Sequence, residues 1–212
     1  MKNLDNYNQI LAIGAHPDDI EVGCGGFIAK CIHHGISVTT AIMSKCDNTI
    51  SVSERGLREK EYFESTSFLK ATNSYIYDIP DKEFPENRTK IMDILANLQA
   101  EIKPDLILIP FLNDTHQDHS TVAHCAIRTF RKKESILQYE ILRHGSNTFT
   151  PSLFVDISDF IEIKAKALEL YKTQIMYKAY FDVETYKALA KTRGAQSGCD
   201  YAEGFTVYKM YW

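Results

Sequence analysis

The feature that most constrains this chain is the regular alternation of short apolar runs with amphipathic stretches. Ile10–Ala15 (ILAIGA), residues 37–44 (SVTTAIMS), residues 74–80 (SYIYDIP) and residues 105–110 (DLILIP) read as strands. Between them, residues 27–35, the stretch from Ser53 to Ala71 and residues 86–104 carry helical spacing. In the last of these, Ile91, Ile94, Leu95 and Leu98 recur at i, i+3, i+4 and i+7, and Pro104 ends the helix. In the Ser53 stretch, Leu57, Tyr62 or Phe63, and Leu69 can share a face, and Gly35 stops the first helix. The run DLILIP is apolar at consecutive positions, as expected of a strand covered on both faces. Strand and helix in alternation predict a mostly parallel sheet with helices on both faces. Right-handed crossovers make the first 130 or so residues a Rossmann-like unit.

Beyond residue 130 the pattern loosens. Residues 152–158 (SLFVDIS) suggest another strand. Residues 159–175 suggest a helix N-capped by Ser158 or Asp159, and residues 183–194 a last helix ending at Gly194. No linker is visible in 212 residues, so we expect one domain, with a Rossmann-like core over about 8–130 and a pocket-shaping part over about 131–212.

Composition excludes several classes. There are 24 Lys and Arg against 28 Asp and Glu, a net charge of −4, so a global basic surface for nucleic acid is absent. The longest apolar run, Leu106–Leu112, is seven residues, whereas a membrane span needs about 20. The first ten residues carry no apolar core of a secretory signal. Five cysteines with no C-x-x-C pair fit reduced thiols in a cytoplasm better than a disulfide framework.

Chemistry collects at two strand ends. His16-Pro17-Asp18-Asp19 follows the first strand, and His116-Gln117-Asp118-His119 follows DLILIP. Ligands in such folds bind at the carboxyl ends of strands, where strand order reverses. If these two strands are neighbours there, His16, Asp18, Asp19, His116, Asp118 and His119 share one crevice. Two His and one carboxylate form an open zinc site, and the metal brings the pKa of a water to about 7. A free carboxylate beside it can take a proton, and a further His can donate to a developing oxyanion. The same donors accept Fe2+ and other divalent ions. Gly23-x-Gly25-Gly26 offers a rival reading as a phosphate-cradling loop of a nucleotide binder, but Asp18, Asp19 and Glu21 would repel a pyrophosphate. A sugar-binding protein without turnover is a further alternative.

These residues resemble those of a known family, the zinc-dependent N-acetylglucosaminyl deacetylases of the PIG-L/LmbE type. Residues 13–26 (IGAHPDDIEVGCGG) are similar to the family's opening strand and loop. Arg58-x-x-Glu61, Asp78-Ile-Pro-Asp81, Asp114-x-His116-x-Asp118-His119, Lys166-Ala-Leu with Tyr171-x-x-Gln174, and Arg193-Gly194 with Tyr201-Ala-Glu203-Gly-Phe205 resemble its later motifs. The resemblance implies that His16, Asp19 and His119 hold zinc and that Asp18 is the general base. It also implies that His116, as an imidazolium oriented by Asp118, stabilises the oxyanion, and that Arg58 and Asp81 hold the sugar. The substrate it implies is an N-acetylated amino sugar or its conjugate, and family habit points to a homo-oligomer. Two positions depart from the pattern. Asp114 stands where some members carry an aromatic residue, and Ser44-Lys45-Cys46-Asp47 replaces a Gly-Glu loop.

Other residues read as structural. His33 and His34 close a helix, His124 packs against the sheet, residues 131–133 (RKK) form a solvated loop, and Cys24 is a small buried residue. His144 with Arg143 also reads chiefly as structural, an approach to an anionic substrate being the lesser alternative.

Overall fold

A computed structural model describes residues 7–143 and 147–211. Seven strands form a single sheet: β1 (Gln9–Gly14), β2 (Ser37–Ile42), β3 (Asn73–Ile76), β4 (Leu106–Pro110), β5 (Ser135–Tyr139), β6 (Leu153–Asp156) and β7 (Ala202–Lys209). Their order is β3-β2-β1-β4-β5-β7-β6. The first five are parallel, and β7 pairs antiparallel with both β5 and β6. The helices are α1 (Asp19–His33), α2 (Leu57–Leu69), α3 (Arg88–Ile102), α4 (Gln117–Thr129), α5 (Ile161–Glu169), α6 (Lys172–Tyr177) and α7 (Val183–Ser197). The expected single α/β domain with a mostly parallel sheet is what forms.

The period of two along each strand divides the core. Ile10 and Ala12 of β1 and Leu106 and Leu108 of β4 enter one apolar cluster, with Ile28 of α1 and Leu168 of α5. Leu11, Ile13, Ile107 and Ile109 enter the other, with Ile91, Leu95 and Leu98 of α3 and Val122 of α4. Both faces of the central strands are therefore covered, which is why β4, Leu106–Pro110, has no polar position to spare.

Several elements differ from expectation. The segment 19–26 is helical rather than a loop, because α1 begins at Asp19 and bends at Cys24, whose φ is −147°. The bend has a cause in the sequence: Glu203 of β7 accepts the N–H groups of Gly26 (2.9 Å) and Phe27 (2.7 Å), capping the helix where it restarts. Gly23 and Gly26 lie against other side chains. A Cβ on Gly23 would stand 2.1 Å from the Tyr139 ring and one on Gly26 2.6 Å from Ile157. They are packing glycines, not a phosphate cradle.

In α2, Tyr62 and Leu69 face the core while Leu57 and Phe63 are exposed. The helix expected over 159–175 is two helices, α5 and α6, separated at Leu170 and Tyr171. Asp156, rather than Ser158 or Asp159, caps the turn that leads into α5 through the Ser158 N–H (2.9 Å). Helix α7 runs past Gly194 and stops at Gly198, whose φ of 83° suits glycine. β5 and β7 carry Ser, Gln, Glu and Gly among their apolar residues, so their strand pattern is weak in sequence. His124 is exposed rather than packed on the sheet. His33 and His34 are exposed at the end of α1, residues 131–133 are exposed, and Cys24 is buried. His144 lies outside the described residues.

Candidate metal centre

The reversal of strand order falls between β2-β1 and β4-β5, so β1 and β4 are direct neighbours. Their carboxyl ends deliver the His16 and His119 segments to one crevice. A cavity of about 510 Å³ opens there, and His16, Asp18, Asp19, Arg58, Asp81, His116 and His119 all line it.

The loop after β1 is drawn tight. The Asp19 carboxylate accepts the N–H groups of Ala15 and His16, each at 2.9 Å. Arg58 donates to Pro17 O at 2.7 Å. Between them, Asp18 holds a φ of 108°, a left-handed backbone that is strained for a residue with a Cβ. Its carbonyl accepts the Val22 N–H at 2.9 Å, which starts the first turn of α1. The strained position is the one that aims the Asp18 side chain into the cavity.

Three donor groups converge. His16 Nδ1 is 3.3 Å from His119 Nε2 and 3.7 Å from Asp19 Oδ2, and His119 Nε2 is 3.4 Å from Asp19 Oδ1. Ligands about 2.0–2.2 Å from a tetrahedral ion stand about 3.3–3.6 Å apart; the His16–His119 and His119–Asp19 Oδ1 spacings fall in that range, and the His16–Asp19 Oδ2 spacing is slightly longer. The side chains concerned are 3–9% exposed, and like-sign nitrogens this close need a shared cation or proton between them. The ring nitrogens of His16, His116 and His119 also lie within 4.8 Å of one another. His116 stacks on His119 with ring centroids 4.4 Å apart.

Behind these groups stand oriented partners. His119 Nδ1 is 2.9 Å from Asp114 Oδ2, a buried carboxylate that fixes the ring so that Nε2 faces Asp19. Asp114, which opens the second motif and stands where some family members carry an aromatic residue, therefore has a contact with His119 that its place in the motif did not foretell. Its five-residue spacing to His119 across a helix start is the signal that could have found it. The Asp118 carboxylate sits 3.2 Å from His16 Nε2 and accepts the Lys82 N–H at 2.7 Å. Expected beside the His116 ring, it is placed against His16 instead. It is the Asp118 backbone N–H that reaches His116 Nδ1, at 3.3 Å. Accepting at Nδ1 leaves the His116 proton on Nε2. Asp81 Oδ1 lies 3.0 Å from His16 Nε2, and Asp81 Oδ2 accepts from Thr49 Oγ1 at 2.8 Å.

Helix α2 ties the pieces together. Arg58 Nη2 lies 3.4 Å from Asp18 Oδ2. One turn on, Glu61 accepts the Thr173 N–H (2.8 Å) and hydroxyl (2.6 Å), docking α6 at the rim. On the far side of α1, Lys164 Nζ donates to Val22 O (2.8 Å) and to Glu203 Oε1 (2.6 Å). Lys164, not the neighbouring exposed Lys166, is the buried lysine of α5.

The electrostatics separate the two adjacent aspartates. Burial pushes Asp18 up to about 7, with Arg58 pulling against it. Burial also acts on Asp19, but His119 and His16 outweigh it and hold the carboxyl well below the usual range. Asp81 is likewise held low, burial being outweighed by His16 and Thr49. For His16, burial is outweighed by Asp118, Asp81 and Asp19, giving about 9. For His119, burial is outweighed by Asp19 and Asp114, giving about 10. Binding an ion at these imidazoles therefore displaces protons. Burial, His119 and His16 push His116 down to about 4, with Asp19 and Asp118 pulling the other way. Burial pushes the Cys46 thiol, close to Arg58, up to about 12. Cys24, Cys31, Cys46, Cys125 and Cys199 are all free thiols. Among the described residues no helix is long and apolar enough to cross a membrane.

Known proteins share this architecture. The chain is 29% identical to the diacetylchitobiose deacetylase of Thermococcus kodakarensis over 222 residues, covering 94% of this chain and 83% of that protein. The structure of N,N'-diacetylchitobiose deacetylase from Pyrococcus horikoshii superposes with a TM-score of 0.81 at 24% identity, covering 98% of this chain and 88% of that one. GalB, the 4-carboxy-2-hydroxymuconate hydratase of Pseudomonas putida KT2440, superposes with a TM-score of 0.81 at 19% identity, covering 97% and 98%, so the fold also serves another named activity. Residues 11–130, more than half of the chain and the span that carries both strand-end motifs, match the family described as PIG-L: GlcNAc-PI de-N-acetylase, and the chain belongs to that family.

Proposed function

We propose that this chain is a metal-dependent hydrolase that removes acetyl from an N-acetylated amino sugar or its conjugate, releasing acetate and a free amine. The observation that carries the reading is the convergence of His16, Asp19 and His119 at 3.3–3.7 Å, with an ionisable Asp18 on the same cavity wall. Zinc is the ion proposed, with Fe2+ a chemically equivalent occupant. When bound by these three residues, the ion supplies Lewis acidity toward a carbonyl oxygen.

The remaining steps belong to the chain's own groups. Asp18, raised to about 7 and steadied by Arg58, accepts the proton of a water attacking the acetamide carbonyl. The same carboxyl then returns that proton to the departing nitrogen. His116, whose Nδ1 accepts the Asp118 N–H and whose Nε2 carries a proton, donates a hydrogen bond to the oxyanion as it develops. Asp118 contacts His16 Nε2 at 3.2 Å, and its charge also favours a proton on His116. Arg58 and Asp81, both on the cavity wall, are the proposed contacts for sugar hydroxyls.

The pocket gains much of its wall from the part of the chain beyond residue 131. Leu142, Gln174, Tyr177, Tyr180 and Tyr186 line it, and we assign substrate choice to this part. Tyr and polar amide groups suit the apolar face and hydroxyl rim of a pyranose ring. Five free thiols fit a cytoplasmic setting. Assembly into a homo-oligomer belongs to the same proposal.

The test is acetate release by metal-defined protein across a panel of N-acetyl sugars: free, disaccharide, nucleotide-linked and glycoconjugate. Release of acetate and amine in equal amounts from at least one is expected. Tight binding of a panel member without release from any of them would replace the enzyme by a sugar-binding protein.

A further inference from the structure

We propose that Cys46, His16 and Asp81 form a second metal-binding set, selective for soft divalent ions such as Cd2+, which shares the His16 imidazole with the set formed by Asp19 and His119. One ligand atom from each of the three residues lies within 4.8 Å of the other two. The two nitrogens of the His16 ring face different partners. Nδ1 looks toward His119 and Asp19, while Nε2 is 3.0 Å from Asp81 Oδ1. A second carboxylate stands beside Nε2: Asp118 Oδ2 at 3.2 Å. The other oxygen of that side chain, Oδ1, is buried with no hydrogen-bond partner among the described residues, although the side chain is 0% exposed. A buried carboxylate oxygen left without a donor is a group for which a cation is a fitting partner.

The loops that carry these donors are held in place. Ser44 Oγ accepts the Cys46 N–H at 2.9 Å. Thr49 Oγ1 bridges the Cys46 carbonyl (3.2 Å) and Asp81 Oδ2 (2.8 Å). Asn48 exchanges two hydrogen bonds with the Asp81 backbone, at 3.1 and 2.9 Å. The loops that carry the donors are therefore ordered before any ion arrives, and His16 and Asp81 line the cavity.

The donor chemistry decides the ion. A thiolate sulfur with one imidazole and carboxylate favours soft or borderline ions, whereas Mg2+ and Ca2+ demand an oxygen shell. Binding forms a bond from Sγ to the ion and breaks the S–H bond. The thiol proton, and that of His16 Nε2, pass to solvent, and nothing is oxidised. Because one imidazole serves both sets, a soft ion here disturbs the first set and inhibits turnover. That consequence rests on the deacetylase reading, whereas the coordination itself does not.

The experiment is a Cd2+ titration of zinc-loaded protein, read by the ultraviolet thiolate-to-metal charge-transfer band. The band should saturate at one equivalent, fall at least tenfold in Cys46→Ser, and persist in Cys199→Ser, which removes the least buried thiol. It should keep full amplitude in His119→Ala, which lacks a ligand only of the first set. Asp81→Asn retains every thiol and should bind Cd2+ at least tenfold more weakly. Full amplitude in Cys46→Ser, no band in the wild type, unchanged affinity in Asp81→Asn, or loss of the band in His119→Ala would each overturn the proposal. Failure to release acetate from any sugar would leave the band untouched, so the two readings fail separately.

Discussion

At the scale of single residues, the groups that hold the ion differ from the groups that move protons. Asp18→Ala should keep one equivalent of zinc, measured by metal analysis, while acetate release falls by about 10²–10⁴-fold. Turnover near the wild-type rate would remove Asp18 as the base. His116→Ala should lose about 10²–10³-fold in kcat and still bind zinc. Loss of zinc from that variant would make His116 a ligand, an option left open by the 4.8 Å cluster it forms with His16 and His119. Asp114→Ala frees the His119 ring to turn, so zinc affinity should drop about 10–100-fold by calorimetric titration, an effect absent if the 2.9 Å contact is incidental. The strand-end residues were legible because H-P-D-D and H-x-D-H place ionisable groups together within a few positions. Asp114 was not, because its use depends on the ring of His119 turning back across the start of α4. Nor was the partner of Asp118, since its contact with His16 joins the first turn of α4 to the loop after β1, 102 residues apart in sequence.

At the scale of elements, α1 is the piece on which the site depends. It starts at the strained Asp18, bends at Cys24, and restarts under the Glu203 carboxylate. Glu203 also pairs with Lys164, and the two side chains are 3% and 5% exposed. Glu203→Ala leaves the lysine charge buried and two N–H groups uncapped, so a loss of roughly 3–5 kcal/mol is expected in denaturant unfolding. A change below about 1 kcal/mol would show that the pair does not support the bend. The alternation of strands and helices was readable because burial on both faces forces continuous apolar runs in β1 and β4. The helical character of 19–26 was hidden because three glycines and a run of acids look like a loop. Their role appears only when Tyr139 and Ile157 are seen packed against Gly23 and Gly26. β5 and β7 were hidden for a related reason: Gln138 accepts the Leu112 N–H at 2.8 Å and Glu203 caps α1, so their polar residues serve neighbours rather than solvent.

At the scale of the whole molecule, the topology brings the two motifs together and the ion should in turn stabilise the fold. An ion that binds only the native state adds about 2.7 kcal/mol when present at 100 times its Kd. Zinc should therefore raise Tm in the wild type and not in His16→Ala, and an equal rise in both would place the ion elsewhere. The mild net charge of −4 gave no hint of this, because the relevant charges lie within a few ångströms of one another around the end of β1. Metal-dependent deacetylation is tested by the initial rate of acetate release from an N-acetylated amino sugar as zinc is titrated into chelator-stripped protein. A rise from near zero to a plateau at one equivalent is expected, with no rise at all in His119→Ala. Acetate release that persists undiminished without metal, or none at any zinc level with the ion demonstrably bound, would contradict it.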